Sequence, residues 1–263
     1  MISLSKRYAP QEINVYAYCA NNPLNFIDPT GAILEPEKWD KKSREAFNKY
    51  EVKLKANPQK YAKELATLEQ LRKSDVNYVV QLGGDSNFSA GQEGGLTPDE
   101  AKNTIFINLS NKGNEKYSLF SRFGHEFEHA RQFDSGEFAF AWDKNGNFLG
   151  RANGDISEEV EAWKVQSKLS DAKDKQVTFA TGDVSTSIIN KFDSATSDNE
   201  KAKALSGLSN TYSKSYENIK TDPNLYGKKF QLNGIPPGTK ITCSTKINSS
   251  EGRTYFGRTY NSK

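Results

Sequence analysis

The chain has 263 residues, enough for one sizeable domain or for a domain with a small appendage. Its 36 basic and 33 acidic residues nearly cancel to a net charge of +3, with no block of five like charges, which argues against a nucleic-acid-binding arm. Mean hydropathy is low at −0.78, yet 15 Phe, 12 Tyr and 3 Trp supply bulky core material, so the chain reads as globular and not disordered.

Cys19 and Cys243 lie far apart and outside any C-x-x-C pattern, which argues against a disulfide framework. The opening residues, MISLSKRYAPQEI, lack the apolar core of a signal peptide, and no run approaches the ~18 apolar residues of a membrane span. Residues 13–31, INVYAYCANNPLNFIDPTG, contain two short aromatic strand-like pieces broken by Asn-Asn-Pro and closed by Asp-Pro-Thr-Gly, so they predict a hairpin. The stretch resembles the end of the core repeat of Rhs/YD-repeat polymorphic toxins, N-x-Y-x-Y-x-x-N-N-P-x-x-x-x-D-P-x-G. The matching positions are Asn14, Tyr16, Tyr18, Asn21, Asn22, Pro23, Asp28, Pro29 and Gly31. The resemblance implies that residues 1–33 are a remnant of such a core and that 34–263 are the toxin domain. It further implies a repeat shell around that domain in a full-length toxin, and a cognate immunity protein. The whole would be a secreted or injected effector, made in a bacterial cytoplasm and exported without an N-terminal signal peptide.

Residues 36–74 are rich in Glu, Lys, Ala and Leu and predict two helices, about 37–55 and 59–73, the second opened by Pro58. Trp39, Phe47, Tyr50, Leu54, Leu65, Leu68 and Leu71 form their inward faces. Two strands are expected at 76–82 and 104–109. Between them the Gly-, Ser- and Asn-rich stretch 83–95 reads as a loop able to flank a cleft, without the pattern of a phosphate-binding loop. The strand TIFINL just before the next helix is either a sheet edge able to pair with an extended peptide or an ordinary interior strand.

Residues 123–132, FGHEFEHARQ, carry H-E-x-x-H at His125, Glu126 and His129. Residues four apart share a helical face, so two imidazoles can reach one tetrahedral ion, and Glu126 lies beside the same face where its carboxylate can meet a water. Leu119, Phe120, Phe123, Phe127, Ala130 and Phe133 recur at helical spacing as an apolar stripe. The chain has only two His, and both fall in this motif. The spacing points to Zn²⁺.

A catalytic zinc with two His requires a third protein ligand and an open position for water. With no third His, that ligand is a carboxylate, or else the thiolate of Cys243. Residues 138–150 predict a hairpin turning at Asn145-Gly146, followed by a helix with Asp155 or Ser157 as its cap and Ile156, Val160, Trp163 and Leu169 on its apolar side. Glu159 falls on that side, and Glu158 is the second choice. The arrangement resembles zinc peptidases in which H-E-x-x-H is followed by a helix carrying E-x-x-A, here Glu159 to Ala162. It implies that His125, His129 and Glu159 hold the zinc and that Glu126 is the catalytic base. Ala162 would allow close helix approach, and a Tyr or Arg (Arg151, Tyr212 or Tyr216) would stabilise the oxyanion.

Beyond this, 176–197 reads as a short strand and a Thr/Ser-rich stretch, 198–220 as a polar helix, and the tail as hairpins. Arg253, Tyr255, Arg258 and Tyr260 lie on an exposed face there. The expected fold is α+β: a zincin-like domain with a small mixed sheet, an active-site helix and flanking helices. The expected function is a zinc metallopeptidase toxin that cleaves a protein in a target cell, without nucleic-acid or membrane partners. Two other readings are compatible with these residues: a binding or structural module whose zinc only holds the fold, and a zinc hydrolase of a non-peptide amide.

Overall fold

The computed structural model describes residues 34–83, 93–152, 157–170, 184–205, 247–248 and 252–257. Among them the chain is α+β, with six α-helices and two small sheets. Helix α1 (Lys41–Lys55) starts on Asp40, whose carboxylate accepts from Ser43 N at 3.0 Å, and it buries Phe47, Tyr50 and Leu54. Helix α2 (Ala62–Arg72) begins later than expected. Pro58 lies in a preceding turn, where Asn57 Oδ1 accepts from Lys60 N at 3.2 Å, and the helix opens only after that turn is complete.

The first sheet holds β1 (Asn77–Leu82), β2 (Gly94–Asp99) and β3 (Thr104–Leu109) in the order β1-β3-β2. β1 runs parallel to β3, and β2 antiparallel to it. Thr104–Leu109 is therefore the interior strand and not an edge. Among the described residues β2 is an edge of this sheet, lying against the helix of 119–134, and part of it had the composition of a loop. Ser110 N donates to Glu93 O at 2.9 Å, and with the register Gly95↔Asn108 this sets the alternation along β2. Leu96 and Pro98 turn their backbone groups away from β3, so the N–H that Pro98 lacks costs no bond to β3.

Helix α3 (Leu119–Asp134) is capped by Ser118, which accepts from Ser121 N. Its apolar stripe packs on α1: Tyr50 stacks on Phe123 and Phe127 with ring centroids 5.0 and 5.7 Å apart. At its C-terminal end the buried Asp134 carboxylate accepts from Ser74 Oγ (2.5 Å), Tyr78 OH (3.1 Å) and Gln70 Nε2 (2.9 Å), joining α2, β1 and α3. An Asp134→Ala change deprives two buried hydroxyls of this acceptor and is expected to cost about 2–4 kcal/mol. The check is a lower urea midpoint with an unchanged m-value.

The second sheet is antiparallel, in the order β5-β4-β7-β6, from β4 (Ala139–Trp142), β5 (Phe148–Ala152), β6 (Ile247–Asn248) and β7 (Thr254–Gly257). The β4–β5 turn is closed by Asp143, whose carboxylate accepts from Asn145 N and Asn147 N at 2.8 Å, with Gly146 at φ +84°. The tail does more than form its own hairpin. β7 pairs with β4, Phe256 packs on Phe133, and Tyr255 is buried, not exposed.

Helix α4 (Ser157–Lys168) packs along α3. The residue that admits it is Gly124: a Cβ there would lie 2.1 Å from Leu169 Cδ1 and 3.0 Å from Val165 Cγ1. Ala162 is fully buried as well, and at Gly124 the packed side chains leave no free space for a Cβ. Two further helices follow, α5 (Thr186–Ser194) and α6 (Asp198–Leu205). Within the stretch of 176–197, read as a short strand and a Thr/Ser-rich stretch, α5 is a helix that was not expected, and 176–183 lie outside the described residues. Ser185 caps it by accepting from Ile188 N, and Ile189 and Phe192 join Val160 and Trp163 in a satellite core.

The N-terminal motif of 13–31, the Asp155 and Ile156 positions, both cysteines, Tyr212, Tyr216, Arg258, Tyr260, residues 84–92 and the 206–220 part of the polar helix lie outside the described residues.

Candidate metal centre

Helices α3 and α4 bring His125, His129 and Glu159 together. The closest approaches are His125 Nε2 to His129 Nε2 at 3.2 Å, His129 Nε2 to Glu159 Oε1 at 3.3 Å, and His125 Nε2 to Glu159 Oε2 at 3.5 Å. Two donors bound at about 2.05 Å around a tetrahedral ion stand about 3.3–3.4 Å apart. The donor set, two imidazole nitrogens and one carboxylate converging at these separations, fits a metal ion. Among the described residues no fourth His, Cys, Asp or Glu joins the group. Glu158 is also buried, but its backbone carbonyl is held by Gln132 Nε2 at 3.0 Å, and it is Glu159 that meets the imidazoles.

Burial is the largest influence on Glu126, Glu159 and His125, and it is overcome at the last two. It pushes the Glu126 carboxyl above its ordinary range, and the nearby His125 and His129 only partly offset this. At Glu159 burial acts in the same upward direction, but the charge of His129 and the hydrogen bonds from both His outweigh it and hold the carboxyl well below its ordinary range. Burial pulls His125 down, while its hydrogen bond to Glu159 and the charge of Glu126 leave the net shift upward. Two carboxylates of one site are thus driven apart, Glu159 toward its anionic form and Glu126 toward its neutral form.

Strand β2 crosses directly over Glu126. A Cβ at Gly94 would lie 2.4 Å from Glu126 Oε1, so only glycine permits this approach. The start of the strand is pinned. Arg122, one helical turn before Glu126, donates through Nη1 to Glu93 O (3.1 Å) and Ser110 O (2.9 Å) and through Nε to Tyr117 O (3.2 Å). The Glu93 carboxylate in turn accepts from Lys116 N and Tyr117 N. Glu126 Oε2 is buried with no hydrogen-bond partner among the described residues, as is His125 Nδ1.

Arg151, expected as a candidate for oxyanion stabilisation, sits elsewhere. Its Nη1 is 3.2 Å from His129 Nδ1, the ring nitrogen facing away from the ligand triangle, and 3.8 Å from Glu159 Oε1. The guanidinium lies over the Phe138 ring. It backs the ligands. Sequence reasoning also missed Gln132, whose Oε1 lies 2.8 Å from His129 Nδ1, although its position three residues past His129 on the same helix was a usable signal. Trp163 packs edge-on against His125 with centroids 5.3 Å apart, walling that ligand. Compared with known proteins, the chain has no matching family model, and neither a curated protein nor a solved structure matches it significantly.

Proposed function

We propose that the protein is a zinc-dependent metallopeptidase acting as the toxin domain of an Rhs-type effector, with a protein of the target cell as substrate. The observation that carries the catalytic part is the triangle of His125, His129 and Glu159 beside Glu126, a carboxylate that is not itself part of the triangle. A zinc ion held by His125, His129 and Glu159 would supply Lewis acidity, polarising a scissile carbonyl and lowering the pKa of a water to about 7. Glu126 would serve as general base and then general acid toward the leaving amine, a role suited to a buried carboxyl whose pKa is raised. Glu159 stays ionised beside the two imidazoles.

Among the described residues three side chains converge, the number a catalytic zinc takes with an open position for water, where structural sites close with four. The edge strand β2 favours an extended peptide over a compact amide. It passes over Glu126, and Leu96 directs its N–H and C=O away from β3, where a substrate backbone can pair. The toxin role, the immunity protein and the zincin-like character of the fold rest on the motifs at 13–31 and 125–162, and export as an effector rests on the first of these alone.

Metal analysis tests the centre directly. The purified protein is expected to hold about one zinc per chain; Glu159→Ala and His129→Ala are expected to lose it, and Glu158→Ala to keep it. A folded wild-type protein without stoichiometric metal would sink the proposal. Peptidase activity on a mixed peptide library, abolished by chelation and restored by zinc, tests the reaction.

A further inference from the structure

Gln132 touches both the second histidine of the triangle and the backbone next to its carboxylate. Its side chain is completely buried. Its Nε2 donates to the carbonyl of Glu158, the residue before Glu159, at 3.0 Å. That bond fixes the orientation of the amide, because the reversed amide would set two oxygens against each other. Oε1 is thereby left facing His129 Nδ1 at 2.8 Å as an acceptor. An imidazole whose Nδ1–H is donated carries its lone pair on Nε2, the atom that faces His125 and Glu159.

A second group contends for the same nitrogen. Arg151 Nη1 lies 3.2 Å from His129 Nδ1, and a guanidinium has donors only. If Nδ1 accepted from Arg151, the proton would sit on Nε2 and would be donated to Glu159 Oε1, 3.3 Å away. That tautomer cannot bind a metal through Nε2. The nearer partner is the acceptor.

Resting on the metal-site reading above, we propose that Gln132 is the positioning residue that holds His129 in its metal-binding tautomer, against the competing donor Arg151. One side chain thus ties the tautomer of the second ligand to the backbone position of the third. Removing the acceptor hands Nδ1 to Arg151. Removing Arg151 as well lifts the competition.

The experiment measures zinc affinity of the full chain by competition with a chromophoric chelator, together with the ligand-field absorption of the Co²⁺-substituted protein. Gln132→Met is expected to weaken zinc binding about 10–100-fold, the usual range for loss of such a partner. Gln132→Glu, which keeps an acceptor at Nδ1 but loses the bond to Glu158, is expected to stay within about threefold of wild type. Adding Arg151→Met to Gln132→Met is expected to recover most of the lost affinity and the wild-type Co²⁺ spectrum, which a merely structural role would not do. Wild-type affinity in Gln132→Met, or no recovery in the double variant, overturns the proposal while leaving the metal centre standing. If Gln132→Met does not fold, Gln132→Glu decides, and a drop of tenfold or more overturns the proposal. A wild-type protein that binds no zinc removes the metal-site reading and this proposal together.

Discussion

Glu126→Gln is expected to lower turnover by roughly 10³–10⁴-fold, within the range by which a positioned general base accelerates proton transfer. That corresponds to about 4–5.5 kcal/mol of barrier. The change is nearly isosteric, and Glu126 belongs to none of the ligand contacts, so zinc content should remain at the wild-type level. Stability should not fall either. The folded-state pKa of Glu126 is raised, so its protonated form is the one that folding favours. The stability linked to that proton is fully present below the unfolded pKa and is lost as pH rises through the folded pKa. A neutral amide carries no such loss, so the metal-free variant should be at least as stable as wild type at neutral pH. Zinc analysis, thermal unfolding and peptide cleavage on one preparation check all three expectations. Cleavage at the wild-type rate would remove Glu126 from the role of base.

What was legible in the sequence was local. The helix of 119–134 could be read because its aromatic stripe and the His spacing share one period, and both survive in α3 with Phe123, Phe127 and Phe133 buried. Glu159 was reachable because a hairpin turn at Asn145-Gly146 returns the chain beside α3, and because Val160 and Trp163 mark the inward face of α4. What was not legible depended on partners far along the chain. The interior place of β3 follows from a parallel pairing with β1, register Asn77↔Thr104, which no local pattern encodes. β2 was hidden by Gly94 and Gly95, which read as the end of a loop, and by Pro98, a residue that suits an edge strand. The place of Gly124 depends on Leu169 and Val165, residues about forty positions farther along the chain. Arg151 was an available cation in sequence, and only the packing of β5 shows that it reaches the rear of His129.

Gly94→Ala is expected to lower turnover by about 10²-fold or more with zinc retained, since Gly94 is not one of the three residues of the metal triangle. The added Cβ would stand 2.4 Å from Glu126 Oε1, 2.9 Å from Cδ and 3.0 Å from Cγ, all well inside ordinary contact. One of the two must yield. The strand is the less free, because Glu93 just before it is fastened through Arg122, Lys116 N and Tyr117 N, and because β2 is bonded along β3. Gly94 does not occupy the positive-φ region, so alanine fits the backbone and the strand has no reason to unpair. The carboxylate of Glu126, at the far end of a flexible side chain, therefore moves. A shift of about 1 Å in a catalytic group is enough for a loss of this size. The signature is a fall in kcat with little change in KM, wild-type zinc content and an unaltered unfolding midpoint. Activity equal to wild type in Gly94→Ala would mean that Glu126 can reach the water from another rotamer, and that β2 does not set the position of the base.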